Sequence, residues 1–555
     1  MKRSKLALTL ALSLLGAEIN AQNTIDSLFI TQYERPTVTV CLLDFAEKKL
    51  ATSVASNFQN YRLDAKYNEH KIESSSIIQA PFKRDYIYND RYKLLEKKLN
   101  EDQIARKVIE KWFMADSVFS MDLVAQRGVY NASESDLELS ERNKRGVLTL
   151  KDAGERLIDK SYLLVIDFFN LSSANNYLDK TAVIGYLYKL KWTDKIADDF
   201  YTNAWESNIY FRQMKFEVEY VTQVYVSNVP LVGAGKEEEM ALLNSGIEAA
   251  LKEAAKSVSD LKVHSQIASL RPIRANIGRK EGVMIDQKFV VYERILDRKS
   301  KIRYKRCGSV RAKNTIVDNT DSLVGKNLTT HFYQDAGKRF HVGMLMEQRY
   351  ETGLSFAAGW ANRSLQGVFF RLDYTLAKVF NWSLFKIFAE IQIASNNVQF
   401  GNGTKDYQVN ATNFAIGLSK EFIISRNIHL EPSLAIASDN VSYQLNKEES
   451  YKITNDENTG VSNGLLTEYQ QVGLQLALRI PINILHNFQI VPAIGYATFR
   501  FPSEGLFGSK LPANLAQSTK EEMRIDDSRS NWNENTKSDI STNLLKWEML
   551  LRLKF

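Results

Sequence analysis

The sequence predicts an α+β multidomain chain: a periplasmic α/β domain and a small β module, followed by a C-terminal eight-stranded antiparallel transmembrane β-barrel. Three observations carry this expectation. The chain opens on an export-type segment. Its middle changes from long helix and strand periods to short strands punctuated by glycine. From about residue 350 onward, apolar and polar residues alternate in segment after segment.

The alternation is plainest at the C-terminus. Leu545, Trp547, Met549, Leu551, Leu553 and Phe555 share one face of an extended strand, and Lys546, Glu548, Arg552 and Lys554 share the other. A strand apolar on one side, charged on the other and aromatic at its end suits a barrel wall between lipid and a polar lumen. Trp547, Met549, Leu551, Leu553 and Phe555 are therefore the expected barrel assembly signal. Seven earlier segments repeat the pattern, beginning near Leu354, Val368, Phe385, Phe414, Ile428, Val472 and Phe488. Eight is the smallest usual strand number for such a barrel. Short turns are expected around Phe380-Asn381, Ser425-Arg426 and Leu485-His486-Asn487, and long polar loops over 397–408, 438–463 and 501–540. Short periplasmic turns and long outer loops are the usual arrangement.

The inward set is expected to include Arg371, Asp373, Lys386, Glu390, Glu421, His429, Glu431, Arg479, Lys546, Glu548 and Arg552. An eight-stranded barrel is only wide enough for side chains to fill. These charges read as a paired internal network, and the alternative is a small conducting pore. A soluble sandwich or lipocalin-like barrel would give the same period with the faces reversed. The secretion signal, and aromatics such as Trp360, Tyr374, Trp382 and Tyr496 near strand ends, favour the membrane form.

Residues 1–21 read as a signal peptide. Lys2, Arg3 and Lys5 form the basic head, Leu6–Leu15 the apolar run, and Ile19-Asn20-Ala21 a cleavage site. Hydrophobic residues make up 44% of the chain, and no later stretch is long and uncharged enough for a membrane helix. A barrel remains compatible with that average because half of each strand is polar. Cys41 and Cys307 read as two buried free thiols, with a disulfide as the alternative.

Residues 25–260 read as one α/β domain or two. Val38–Phe45, Tyr162–Phe169, Thr181–Trp192 and Phe216–Val226 are expected strands. Residues 93–114 are an expected helix, with Ile104, Val108 and Trp112 at four-residue spacing, and 150–159 a shorter one. Lys236–Val258 carries one apolar stripe of Met240, Leu243, Ile247, Leu251, Ala254 and Val258. Residues 262–335 form the small β module, and the barrel is expected over 345–555.

Within the module, Gly278, Gly282, Phe289, Val291 and Tyr292 match a Gly-x-x-x-Gly-x-x-x-x-x-x-Phe-x-Val-Tyr pattern. It resembles the β-barrel modules of FlgT-like periplasmic envelope proteins. The Val38–Phe45 strand and the Ala-rich helix ending near Val258 look like CsgG- and TolB-type periplasmic domains. The resemblance implies envelope assembly or anchoring, without catalysis, and transfers no partner-binding residue.

Between Arg271 and Lys313 fourteen Lys or Arg stand against four acids, although the whole chain carries a net charge of only +7. Arg271, Arg274, Arg279, Lys280, Arg298, Lys299, Lys301, Arg303, Lys305 and Arg306 are candidates for binding an anionic surface, either lipid headgroups or cell-wall polymer. An ordinary solvated face is the competing reading. Export argues against nucleic acid.

Catalytic signals fail one by one. Leu231–Glu237 lacks the first glycine and the hydroxyl residue of a phosphate loop, because Pro230 and Glu237 stand in those places. The six histidines are scattered, with no metal-ligand spacing. No cofactor and no enzymatic activity are expected. The expectation is an outer-membrane anchored envelope protein with periplasmic partners, and the alternative a transport or secretion component. Outer-membrane lipid and other envelope proteins are the expected partners, and the oligomeric state is left open.

Overall fold

The computed structural model describes residues 33, 35–45, 58–72, 76–83, 90–115, 118–120, 158–168, 181–205, 207–229, 236–296, 302–319, 329–362, 365–399, 406–444, 465–485, 487–497 and 545–554. Expectations for the signal segment, the 501–540 loop and Phe555 lie outside these residues.

The first sheet is mixed. Its strands are β1 (Thr37–Asp44), β2 (Asn68–His70), β3 (Ile77–Gln79), β4 (Ser161–Phe168), β5 (Thr181–Leu190) and β6 (Val218–Val229). β2, β3 and β4 pair parallel to β1, while β5 and β6 continue antiparallel. β1 and β4 are buried along both faces, which explains their unbroken apolar runs. Helix α1 (Arg91–Glu101) and helix α2 (Ile104–Phe113) cover one face, where Leu95, Leu99, Val108 and Trp112 meet Cys41, Leu43 and Val165. Helix α3 (Lys236–Ser257) covers the other, setting Leu243, Ile247, Leu251 and Ala254 against Val38, Val40, Leu42 and Leu164.

The single helix expected over 93–114 is two helices. Gln103 sits at φ 52° and breaks the axis, while its side chain donates to the Asn100 carbonyl at 2.6 Å. The four-residue spacing from Ile104 belongs to α2 alone. Residues 150–157 lie outside the described residues, and Ile158–Lys160 is a single 3-10 turn. Cys41 and Cys307 are both buried free thiols.

The second sheet is antiparallel throughout. Its strands are β7 (His264–Gln266), β8 (Ser269–Leu270), β9 (Ile273–Ala275), β10 (Lys288–Leu296), β11 (Ile302–Ala312), β12 (Thr330–Gly337) and β13 (Leu345–Arg349), in spatial order β8-β9-β12-β11-β10-β13-β7. Ile277, Phe289, Val291, Val310, Phe332 and Met346 fill its core. β13 lies in the range expected to open the barrel. It pairs instead with β7 and β10, because Met346 completes this second core while Leu345 packs with Val290 and Tyr292 in a separate cluster.

The third sheet is a closed barrel of eight antiparallel strands: β14 (Leu354–Asn362), β15 (Gln366–Thr375), β16 (Phe385–Gln399), β17 (Asp406–Lys420), β18 (His429–Gln444), β19 (Leu465–Arg479), β20 (Phe488–Ala497) and β21 (Leu545–Lys554). The seam joins β14 to β21, from Ser355 opposite Lys554 to Asn362 opposite Trp547. Two expected loops are shorter than read. β16 runs to Gln399 and β17 starts at Asp406, while β18 runs to Gln444 and β19 starts at Leu465. Toward these ends the positions that continue the apolar parity turn mostly polar, so the hydrophobic alternation does not carry the strand that far.

Gly359 allows the seam to close. A Cβ there would lie 1.9 Å from the Met549 carbonyl oxygen. We expect Gly359→Val to destabilise the barrel by about 1–3 kcal/mol, read as a lower urea midpoint. An unchanged midpoint would show that the seam tolerates a side chain at this position.

Candidate functional site

Alternation along the strands sorts the barrel into two faces. Phe356, Trp360, Leu372, Ile387, Ile391, Ile393, Phe414, Ile416, Leu434, Ile436, Leu474, Leu476, Ile494, Trp547 and Met549 are all exposed on the outside. Arg371, Asp373, Lys386, Glu390, Glu421, His429, Glu431, Arg479, Lys546, Glu548 and Arg552 are all buried. The polarity is therefore inverted: charge inside, grease outside. Leu551 and Leu553 are half-buried beside Trp547 and Met549 on the terminal strand.

Arg371, Asp373, Lys386, Glu390, Glu421, Glu431, Arg479, Glu548 and Arg552 form one network. Arg371 donates to Asp373 at 2.6 Å, to Glu390 at 2.5 Å and to Glu431 at 3.0 Å. Arg552 meets Glu431 at 2.7 Å and Asp373 at 3.5 Å. Arg479 meets Glu390 at 2.6 Å and Glu548 at 2.9 Å. Lys386 bridges Glu421 at 2.6 Å and Glu431 at 3.0 Å. The register makes part of this local, since Arg371 stands directly opposite Glu390 on β16. Phe388, the inward aromatic of β16, lies under the Arg371 guanidinium with 3.7 Å to its ring centre. In so narrow a lumen each charge requires partners, because leaving one buried alone costs several kcal/mol.

The network continues out of the barrel into the second sheet. Lys554, the last residue of β21, approaches Glu421 at 3.9 Å and Asp335 of β12 at 3.5 Å. Asp335 also faces Lys288 at 3.6 Å and Arg311 at 3.4 Å, and both cations reach Glu351 at 2.7 Å. Burial alone would raise both carboxyls. The cations outweigh it, holding Asp335 far below the usual carboxylate range and Glu351 at about 2. Asp286 completes the contact, accepting from the Ser383 hydroxyl at 2.8 Å and the Leu384 amide at 2.5 Å. Asn483 donates to the Asp335 carbonyl at 2.6 Å. Ser383, Leu384 and Asn483 lie at the short-turn end of the barrel, so the second sheet docks there.

Sequence reasoning misses Lys288, Arg311, Asp335, Glu351, Asp286 and Phe388. Their polar members come from separate segments with no motif spacing. The only local sign is a lysine, Lys288, directly before the buried run Phe289–Val291.

Among the described residues, these basic residues are not gathered into one face. Arg279 is exposed and pairs with Asp318 at 3.0 Å, beside half-buried Lys280. Arg271 is exposed and Arg274 half-buried near His331. Arg303, Lys305 and Arg306 lie at the other end of β11, opposite Ile295, Glu293 and Tyr292. Arg298, Lys299 and Lys301 lie outside the described residues. Among the described residues, no group of three or more His, Cys, Asp and Glu side chains could hold a metal ion.

No protein-family model matches the chain, and no curated protein matches it. Solved structures to which it is similar are outer-membrane barrels. Ail, the attachment invasion locus protein of Yersinia pestis, shares 12% identity over 37% of this chain and 100% of its own, with a TM-score of 0.20. A major outer membrane protein from Thermus thermophilus shares 8% over 36% of this chain and 99% of its own, with a TM-score of 0.22. The N-terminal β-barrel domain of Pseudomonas aeruginosa OprF shares 6% over 37% of this chain and 100% of its own, with a TM-score of 0.19.

Glu431 serves Arg371, Lys386 and Arg552 at once. We expect Glu431→Gln to cost about 3–5 kcal/mol in urea unfolding, with part of the loss recovered in the double variant Glu431→Gln, Arg552→Met. A second expectation concerns acid. The depressed Glu351 carboxyl contributes stability above its ordinary value of about 4.3, and that contribution is lost as pH falls toward 2. The urea midpoint should fall below about pH 4, and Glu351→Gln should flatten that limb. Parallel acid limbs for the two proteins would contradict the role given to Glu351.

Proposed function

We propose that the chain is an outer-membrane anchored envelope protein whose closed barrel carries two periplasmic sheets that bind partners. The observation behind this reading is the inverted polarity of the barrel. In water, the outward Ile436, Val472 and Ile494, each more than 60% exposed, would form a band far larger than the apolar patches of soluble proteins. Against acyl chains the same band is favourable.

Orientation follows from the short hairpins. Val379, Phe380 and Trp382, then Ile424, then Ile484 and Leu485 are exposed at the three turns of the end opposite the long connections 445–464 and 498–544. They suit a membrane interface. Short turns face the periplasm in such barrels, and the second sheet docks at that end, so both N-terminal sheets belong to the periplasm. The export-type segment at 1–21 and the likeness to CsgG-, TolB- and FlgT-type envelope domains agree with this placement and favour assembly or anchoring over catalysis. Other envelope proteins or cell-wall polymer are the natural partners. A lumen filled by bound charges favours a closed barrel over a transport component.

Two measurements test this reading. Protease applied to intact cells should cleave within 501–540 and spare the two sheets. The purified chain should stay electrically silent in planar bilayers, whereas steady single-channel currents would move it to the transport class.

A further inference from the structure

A cavity of about 500 Å³ lies where the first sheet, the second sheet and the short-turn end of the barrel meet. That volume falls within the usual range for small-ligand sites. Ile247 and Leu251 of α3, with Met284 and Ile285, give it apolar wall, and Thr375, Ala377 and Asn381 give the barrel side.

Lys66 lines this cavity and is only 4% exposed. Its ammonium bonds the Tyr350 hydroxyl and stands 4.8 Å from the ring centres of Tyr67 and Tyr350. A phenol and two ring faces compensate a buried ammonium less fully than an anion does. Arg62, Lys252 and Arg349 line the same space, against the exposed acids Asp64 and Glu248. Of the other lining charges, Lys288 and Arg311 pair with Glu351, and Asp286 accepts from Ser383 and Leu384 at the barrel rim and stays anionic, so Arg62, Lys66, Lys252 and Arg349 stand against Asp64, Glu248 and Asp286. The open part of the cavity therefore carries an excess of positive charge and favours an anion.

The position of the cavity narrows the anion. Ala377 and Asn381 bracket the turn that carries Val379 and Phe380, each 58% exposed, and Trp382 follows directly. One side of this rim segment walls the cavity, and its neighbouring apolar residues belong to the membrane interface.

We propose that this cavity binds the phosphate headgroup of an anionic phospholipid from the surrounding leaflet, with Lys66 as its buried counter-charge. The inference rests on the membrane reading above. A lysine is a point-charge partner for phosphate, and the apolar walls accept the first part of the lipid tail. Burial lowers the Lys66 ammonium to about 8, so headgroup binding should weaken as pH rises through that value.

The test uses the full chain in nanodiscs of equal parts phosphatidylglycerol and phosphatidylcholine, followed by transfer to neutral detergent and native mass spectrometry of retained lipid. One phosphatidylglycerol per chain should be kept. Lys66→Met should lower retention about fivefold, while Lys66→Arg and, far from the cavity, Lys305→Met should retain it. Lys252→Ser, on an exposed part of the wall, serves if Lys66→Met fails to fold. Equal retention of the two lipids, or full retention by Lys66→Met, would overturn the proposal. Calorimetry with glycerol 1-phosphate and inorganic phosphate separates the sources: binding of either without retained lipid assigns the cavity to a soluble phosphate instead. A chain that enters nanodiscs but keeps no lipid sinks the cavity proposal alone. A chain that never enters them sinks the membrane reading as well.

Discussion

Mutual neutralisation inside the barrel is the constraint on which the rest of the structure depends. Eight strands enclose a space that side chains fill completely, and this chain fills it with ions. Arg371, Arg479 and Arg552 are fully buried, and each is bound by at least two carboxylates. Such a set gives little net stability relative to an apolar filling, but removing any one member is expensive. The arrangement therefore fixes strand register strongly. A slip by one residue would turn every ion outward and every isoleucine inward.

The same constraint ties the barrel to the second sheet. The ladder of charge does not stop at the rim but passes from Lys386 and Glu421 through Lys554 to Asp335, and from there to Lys288, Arg311 and Glu351. Direct hydrogen bonds from Ser383, Leu384 and Asn483 reinforce it. These contacts across the junction are polar, as in interfaces between units that also stand alone. Ion pairs and hydrogen bonds of fixed geometry set orientation more than they set affinity. These contacts hold the barrel and the second sheet at one defined attitude to each other.

The barrel is largely legible in the sequence because its period of two survives across every strand. Arg371, Glu390, Glu431 and Arg552 fall on the inward parity wherever the apolar residues fall on the outward one. Legibility fails where that contrast fades. At the ends of β16 to β19 away from the second sheet the parity that is apolar elsewhere turns polar, as at Asn397, Asn410, Asn440 and Ser442, and these ends read as loop. The break at Gln103 carries no glycine or proline, so nothing in the sequence interrupts the helix there. β13 stands just before β14 in the chain and reads as barrel for that reason, although its Met346 completes another core. The junction at Asp335 and Glu351 is invisible for a different reason. Lys288, Arg311 and Asp335 meet across neighbouring strands of the second sheet, Lys554, Ser383 and Asn483 reach them only through docking of the barrel, and no spacing along the chain encodes either. The basic run from Arg271 is legible as composition, but folding divides it, burying Lys288, half-burying Arg311 and separating Arg279 from Arg303.

The outward direction of the apolar rows is the central claim, and quenching by lipids brominated on their acyl chains tests it most directly. Trp360 and Trp547 stand on the two strands of the seam, opposite Met549 and Asn362, and lie exposed on the outer wall. In vesicles of brominated lipid their emission should fall sharply, and Trp547→Phe should remove a clear part of the quenched signal. Emission indifferent to bromine, with the chain soluble after the lipid is removed, would mean that the barrel wall faces water and the account is wrong.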